Sequence, residues 1–150
     1  MMEHIFEYKG NWKGGLSGEG AFKSGNLEME ISVPADMNGK GIGTNPEELL
    51  ISAASSCYLI TLASILQFKK IEVENIELVS KAVFKMNMNG PTLTKITHTP
   101  QVIVDTDKYD RYNNEIMQCI QMAEKGCMVS RAIQSNVIVE ASGTVMPLVK

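Results

Sequence analysis

A long apolar stretch with a sharply defined start constrains this fold more than any other feature. It runs from Gly43 to Leu66 and reads GTNPEELLISAASSCYLITLASIL. Asn45 can cap a helix, Pro46 suits the first helical position, and Glu48 can close a capping box. Apolar or small residues then occupy nearly every helical face. The stretch therefore predicts a central helix that is buried on most sides.

Three other interpretations of this stretch have to be weighed. It is close to the minimum of about 18 residues for a membrane span, but four serines and a threonine dilute it and no second such segment is present. A signal sequence would lie near the N-terminus behind basic residues, which this stretch does not. A plain core helix, with Cys57 as an inert apolar residue, stays open.

Length and composition predict one globular domain over residues 1–150. Hydrophobic residues make up 44% of the chain and charged residues 21%, and a chain of this length can bury a core without metals or disulfides. The net charge is −3, without a cluster of Lys and Arg, which argues against a nucleic-acid partner. Three cysteines without a secretory leader favour a reducing compartment, with the cytoplasm as the expected location.

The order of elements predicts an α+β fold. Residues 1–33 read as short antiparallel strands broken by glycine turns, with residues 5–12 as one strand, and residues 34–43 read as a loop. After the central helix, residues 76–104 read as a hairpin with one buried and one solvent-facing side. In this hairpin the predicted inward-facing residues are Ile76, Leu78, Ala82, Phe84 and Met86.

Two further helices and a last strand complete this pattern. An amphipathic helix is predicted from about Asp107 to Lys125, a short helix from Cys127 through Gln134, and a last strand from Val137 to Ala141. Strands, helix, strands, helix and strand indicate apolar helices that cover a strongly bent antiparallel sheet.

The cysteines sit in different settings. Cys119 lies on the apolar stripe of the second helix, which indicates a core position. Cys127 follows the helix-stopping Gly126 and opens a new helix, where main-chain N–H groups and the helix dipole stabilise a thiolate. Cys57 and Cys127 could therefore form an attacking and resolving pair, which only the tertiary fold can bring together.

Other chemistries find little support. His4 and His98 are isolated, and no Cys or His pairs recur at metal-ligand spacing. The serines near Cys57 lack a GxSxG nucleophile elbow. The glycines of WKGGLSGEG do not precede a helix, so they read as turns rather than as a phosphate loop. We expect neither a metal nor a cofactor.

Two segments together resemble one known family. TNPEELLISAASSC and the later AEKGCMVSRAIQSNVIVE are similar to the OsmC/Ohr family of organic hydroperoxide reductases, and the resemblance covers the chain from WKGG to the last strand. It implies an OsmC-like fold, with strongly bent antiparallel sheets wrapped around two central helices in an intertwined homodimer. It also implies a thiol peroxidase without metal or flavin, whose sites lie at the subunit interface.

The resemblance also implies roles for single residues. By position, Cys57 matches the peroxidatic cysteine, Cys127 the resolving cysteine, and Glu47 the active-site glutamate. Cys57 would attack the peroxide, release an alcohol and become a sulfenic acid; Cys127 would condense with it to a disulfide. An external dithiol, of lipoyl type or another thiol, would restore both.

Glu47 and Cys57 cannot meet directly on one straight helix. Ten residues separate them along the chain, which gives a rise of about 15 Å and an angular offset of about 80°. We expect Glu47 to meet the site of the partner subunit. A helix that begins later, or a carboxylate that acts through an intermediary, would be the alternatives.

The chain departs from the family pattern in two places. The family places an arginine from its N-terminal half beside the reactive thiol, whereas the two arginines here are Arg111 and Arg131. Met128 stands where many relatives have proline. The cations that could replace the arginine are Lys13, Lys23, Lys40 and Arg131. A lysine would lack the planar fork of the guanidinium group.

The missing arginine keeps a second function class open. A non-catalytic dimer of the same fold could hold a small apolar ligand at its interface, with thiols that are silent or sense redox state. A hot-dog-like thioesterase ranks third, because no residue set for acyl transfer is present.

Overall fold

The computed structural model describes residues 1–149. The chain divides after residue 50 into two compact units. The grouping of the whole chain into one domain stays a prediction.

The first unit is built on an antiparallel meander. Its strands are β1 (Lys9–Lys13), β2 (Glu19–Ser24) and β3 (Leu27–Ile31), in the order β1-β2-β3. The predicted meander is confirmed, but its first strand begins at Lys9 and not at residue 5. The β1–β2 turn requires glycine at residue 18, because a Cβ there would collide with the carbonyl oxygen of Lys13.

The predicted loop contains a short 3-10 helix, Ala35–Met37. Hydrogen bonds fix the loop at its ends: the hydroxyl of Ser32 bonds both the N–H and the carbonyl of Ile42 at 2.7 Å. The N–H of Thr44 donates to the carbonyl of Glu30 at 2.8 Å. The chain therefore enters the following helix from a defined position.

Helix α1 (Pro46–Phe68) begins as its sequence predicts. The side-chain oxygen of Asn45 accepts the N–H of Glu48 at 2.9 Å, which is the expected cap. The second half of the predicted capping box is wrong. The Glu48 carboxylate accepts the hydroxyl of Thr44 at 3.0 Å, a competing donor just before the cap.

In the second unit, α1 buries one row of side chains, at every fourth residue: Ala54, Tyr58, Leu62 and Leu66. The prediction that α1 is buried on most sides is wrong for a single chain. Ile60, on another face, is 68% exposed. By length and composition alone α1 could also cross a membrane, but its buried row is what a core helix shows.

A four-stranded sheet lies in the second unit. Its strands β4 (Asn75–Asn87) and β5 (Gly90–Val104) form the predicted antiparallel hairpin, and β4 alternates between half-buried and exposed residues as expected. Met86 does not face the core as predicted; it is 68% exposed, near the tip of the hairpin.

Two short strands pair with β5 in parallel, which differs from the predicted antiparallel sheet. They are β6 (Ile138–Ala141) and β7 (Thr144–Pro147). The prediction that the strand near Ala141 is the last one is wrong, because β7 follows it. Helices lie between β5 and β6 in the chain, and such a crossover connection returns a strand in parallel.

These helices are α2 (Thr106–Gly126) and α3 (Met128–Ile133), as predicted within two residues. The buried stripe of α2 is confirmed and consists of Ile116, Cys119, Ile120 and Ala123. It packs with Tyr58 and Leu62 of α1 in one hydrophobic core. The hydroxyl of Tyr58 donates to the carbonyl of Ile120 at 2.9 Å, which joins the two helices.

Candidate functional site

Cys127 is the junction of two helices. It ends α2 and caps α3 in an extended conformation, with φ −61° and ψ 125°. Its N–H donates to Ala123 at 3.0 Å, and its carbonyl accepts the N–H of Arg131 at 3.0 Å. The first N–H groups of α3 have no partner within their own helix, so they are available to another acceptor.

Cys57 lies halfway along α1 and is partly accessible to solvent. Its sulfur is 4.0 Å from the hydroxyl oxygen of Thr61, which donates to the Cys57 carbonyl at 2.7 Å. Gly126 lies beside the same threonine, since a Cβ on it would be 3.6 Å from the Thr61 methyl carbon. The end of α2 therefore comes close to the middle of α1.

The fold brings the Cys57 and Cys127 side chains together. Burial opposes ionisation of Cys57, but the N–H of Val129, the thiol of Cys127, the N–H of Met128 and the hydroxyl of Thr61 outweigh it. Together they lower the pKa of Cys57 below its ordinary value. Cys57 is thus a partly accessible thiol that ionises more readily than a free cysteine, as a nucleophile requires.

The pKa of Cys127 moves in the opposite direction. Burial of its 0% exposed side chain raises it, and the neighbouring Cys57 raises it further. The N–H groups of Ser130 and Val129 and the hydroxyl of Ser130 offset this only in part. The two sulfurs are neighbours with unequal acidity, and Cys57 is both the more acidic and the more accessible of the two.

Glu47 lies in the first turn of α1, and one of its carboxylate oxygens is buried without a hydrogen-bond partner among residues 1–149. The helix runs unbroken from Pro46 to Phe68, so the alternative of a later helix start is excluded. A meeting of Glu47 with the partner's thiol stays a prediction.

The cations proposed to replace the arginine are all exposed. Lys40 forms an ion pair with Glu19 at 3.0 Å. Lys13 and Lys23 lie on β1 and β2, and Arg131 lies in the last turn of α3. The groups that lower the pKa of Cys57 are uncharged. A cation at the thiol therefore stays a prediction.

The sequence reasoning missed Ser130. It expected the main-chain N–H groups at the start of α3 to stabilise a Cys127 thiolate, but not that those of Met128 and Val129 would also favour the thiolate of Cys57. The available signal was position: the residues that follow a helix-capping cysteine present free N–H groups, and a serine three residues on lies on the same helix face. The serines of α1 closest to Cys57 in sequence lie elsewhere, because Ser52, Ser55 and Ser56 line a depression beside Ser80 of β4.

Two other side chains considered for chemistry, Cys119 and His98, are buried in the core. Cys119 is fully buried, as predicted, and burial raises its pKa. His98 is also buried; its Nδ1 shares a 2.7 Å hydrogen bond with Ser80, and its ring stacks on Tyr58. Within residues 1–149, no group of three or more His, Cys, Asp and Glu side chains could hold a metal ion.

Comparison with known proteins places these observations in a family. The family model described as OsmC-like protein matches residues 38–142. Uncharacterized protein YmaD of Bacillus subtilis is 37% identical over 148 residues, 97% of each chain. Organic hydroperoxide resistance protein OhrB of Bacillus subtilis is 24% identical and covers 91% of this chain and 96% of its own.

Solved structures share the fold. The crystal structure of an organic hydroperoxide resistance protein OsmC from Legionella pneumophila superimposes with a TM-score of 0.76 at 22% identity, covering 95% of this chain and all of its own. The resemblance found in the sequence is therefore confirmed, and the mixed α+β architecture is that of these relatives. The chain belongs to the OsmC-like family.

Proposed function

We propose that this protein is a thiol peroxidase that reduces organic hydroperoxides to alcohols, with hydrogen peroxide, which would give water, as a second candidate substrate. The observation that supports this most directly is the adjacent pair of thiols, in which the pKa of Cys57 is lowered and that of buried Cys127 is raised. Relatives named organic hydroperoxide resistance proteins support the substrate class.

The reaction follows from the difference between the two sulfurs. The Cys57 thiolate attacks one oxygen of the O–O bond; an alcohol leaves and Cys57 becomes a sulfenic acid. Cys127 then attacks the Cys57 sulfur, so that a disulfide forms and water is released. An external dithiol, of lipoyl type or another thiol, reduces the disulfide and is itself oxidised to a disulfide.

Main-chain donors can supply the activation that relatives obtain from arginine. The N–H groups of Met128 and Val129 are among the groups that favour the thiolate of Cys57, and fixed main-chain dipoles of this kind stabilise an anion. Uncharged donors stabilise an anion less than an adjacent cation does, so a peroxidase slower than arginine-containing relatives is the expected result.

A homodimer would cover apolar side chains that one chain leaves exposed. Ile60 of α1 and Trp12 of β1 are 68% and 43% exposed, and the strands β1 and β3 bury little. The exposed residues of α1 include the small side chains Ala53, Ser56, Ala63 and Ser64, which let two helices approach closely. In such a dimer Glu47 would meet the partner's thiol.

The expected location is the cytoplasm, where thiols stay reduced.

A mass measurement tests the proposal. Reduced protein receives one equivalent of cumene hydroperoxide, and peptide mapping follows. The expected product is a Cys57–Cys127 disulfide, which does not form in Cys57→Ser and still forms in the matched control Cys119→Ser. Unmodified thiols in the wild-type protein at this dose would refute the peroxidase.

One observation favours a second candidate, a dimer that binds a small ligand without catalysis. Between α1 and β4 lies an open depression of about 350 Å³. Both apolar side chains and hydroxyl groups line it, and the lining consists of Ile51, Ser52, Ser55, Ser56, Leu59, Leu78 and Ser80. Under this alternative, peroxide would leave both Cys57 and Cys127 reduced.

A further inference from the structure

Ser130 carries a buried hydroxyl group that the packing of the fold leaves unexplained. The residue is 4% exposed, and its Oγ has no hydrogen-bond partner among residues 1–149. A buried hydroxyl without a partner costs free energy, and folded proteins contain few of them. An alanine would fill nearly the same space without this cost, so packing alone does not explain a serine at this position.

The position of this hydroxyl group connects it with Cys127. Ser130 lies in the first turn of α3, three residues after the cysteine that caps this helix, and hence on the same side of it. Both its main-chain N–H and its hydroxyl group are among the groups that favour the thiolate form of Cys127. Cys127 itself is 0% exposed, so solvent does not stabilise a charge on its sulfur.

We propose that Ser130 is the positioning residue that holds the Cys127 thiolate while it attacks the sulfenic acid of Cys57. This inference rests on the proposed peroxidase function. In this step the Cys127 sulfur forms the S–S bond and the S–O bond of Cys57 breaks. The hydroxide that leaves combines with the proton released by Cys127, which gives water. Cys127 is oxidised and the Cys57 sulfur is reduced.

A hydroxyl group suits this task because it can rotate. Within residues 1–149 its oxygen has no hydrogen-bond partner while Cys127 is neutral, and no charge has to be buried with it. When negative charge appears on Cys127, the O–H can turn toward the sulfur, and a hydrogen bond to a charged acceptor is about twice as strong as one between neutral groups. A buried lysine or arginine would carry a large desolvation cost in every state.

The same donor acts in the return half of the cycle. Cys57 is partly accessible whereas Cys127 is not, so an external dithiol reaches the disulfide at Cys57 and expels Cys127 as a thiolate. A stabilised thiolate leaves faster. Ser130 therefore assists both formation and reduction of the disulfide, but not the attack of Cys57 on peroxide.

Single-turnover kinetics of Ser130→Ala separate these steps. Peroxide consumption after one equivalent of cumene hydroperoxide reports the first step, and the appearance of the Cys57–Cys127 disulfide reports the second. We expect an unchanged first step and a disulfide that forms about 10-fold more slowly at pH 7, with its pH midpoint about one unit higher. A merely structural defect would not move this midpoint.

Three variants serve as controls. Ser130→Thr keeps the hydroxyl group and should restore the pH midpoint. Ser135→Ala removes an exposed serine beyond the end of α3 and should change neither step. If Ser130→Ala does not fold, Ser130→Gly carries the same test with the same expected slowing.

Equal disulfide rates and equal pH midpoints in folded Ser130→Ala or Ser130→Gly and in the wild-type protein would overturn the role of Ser130. This result would leave the peroxidase proposal intact. In contrast, a wild-type protein that consumes no peroxide would overturn both proposals together.

Discussion

Helices α1 and α2 have similar lengths, 23 and 21 residues, and each carries a cysteine, but they differ in how they are covered. The apolar stripe of α2 is wholly buried, and Cys119 within it is 0% exposed with a raised pKa. In α1 one row is buried, whereas Ile60 is 68% exposed. Its Cys57 is partly accessible and has a lowered pKa.

The difference shows that a cysteine's chemistry is set by what surrounds it. Both thiols lie within helices, so neither gains from a terminus of its own helix. Cys57 meets the start of α3 and a second thiol, whereas burial among apolar side chains raises the pKa of Cys119. One chain buries the apolar stripe of α2, whereas it leaves part of the apolar surface of α1 exposed.

The largest expected effect separates the two cysteines. Cys57→Ser should reduce hydroperoxide turnover by on the order of 1,000-fold or more, because the attacking group is lost. Cys119→Ser should change turnover less than about twofold, since Cys119 lies on the buried stripe of α2 and burial raises the pKa of its thiol. A steady-state assay with cumene hydroperoxide and a dithiol measures both. Loss of turnover in a folded Cys119→Ser variant would show that Cys119, and not Cys127, is the resolving cysteine.

The next effect contrasts two faces of α1. Leu62→Ala leaves a cavity in the core and should lower the free energy of unfolding by about 2–5 kcal/mol, as urea titration would measure. Ile60→Ala removes a side chain that one chain leaves exposed, so if the protein is the proposed dimer the substitution should weaken it and shift sedimentation toward the monomer. An unchanged dimer would show that this face of α1 is not the interface.

A third effect concerns the buried ring that packs on α1. Burial lowers the pKa of His98. Below about pH 6.5, the ordinary histidine value, the unfolded chain binds a proton that the folded chain does not, down to the lowered folded value. Stability should therefore fall as the pH falls through this window, by up to about 1.4 kcal/mol per pH unit. Urea titrations at several pH values measure the slope.

His98→Gln should flatten this slope because glutamine does not titrate. His4 is exposed, so His4→Gln is the matched control and should leave the slope unchanged. Identical slopes for His98→Gln and the wild-type protein would mean that His98 is not the group that titrates.

The smallest effect compares the starts of the two helices. Asn45 caps α1 with a hydrogen bond to Glu48, whereas Asp105 makes no side-chain cap hydrogen bond in α2. Asn45→Ala should cost about 1 kcal/mol. Asp105→Ala should cost about 0.3 kcal/mol, through the lost charge at the helix dipole. Thermal unfolding ranks them, and the reverse order would contradict the caps observed.

Local patterns allowed much of this fold to be predicted, and nonlocal pairing set the limit. The cap at Asn45 and the stripe of α2 depend on neighbours within a few residues, so both could be predicted. The parallel pairing of β6 and β7 with β5 depends on distant segments, and no local pattern encodes it. The four-residue β7 also lacks the length that makes alternation visible.

The same limit applies to the candidate site. The two anchor segments indicated Cys57 and Cys127, because each anchor is a local signal. The position of Ser130 three residues after Cys127 is visible in the sequence, but its missing hydrogen-bond partner is not, since a serine near a helix start most often has a capping or solvent role. The overestimated burial of α1 has a similar cause, because hydrophobicity reports that a face will be covered but not by which chain.

One residue, Cys127, both ends α2 and starts α3. A disulfide fixes the distance between its two Cα atoms within narrow limits, so bonding to Cys57 would constrain the peptide plane from which both helices depart. Amide hydrogen exchange at Met128 and Val129 would then differ between the reduced and the disulfide form, without a change in overall shape.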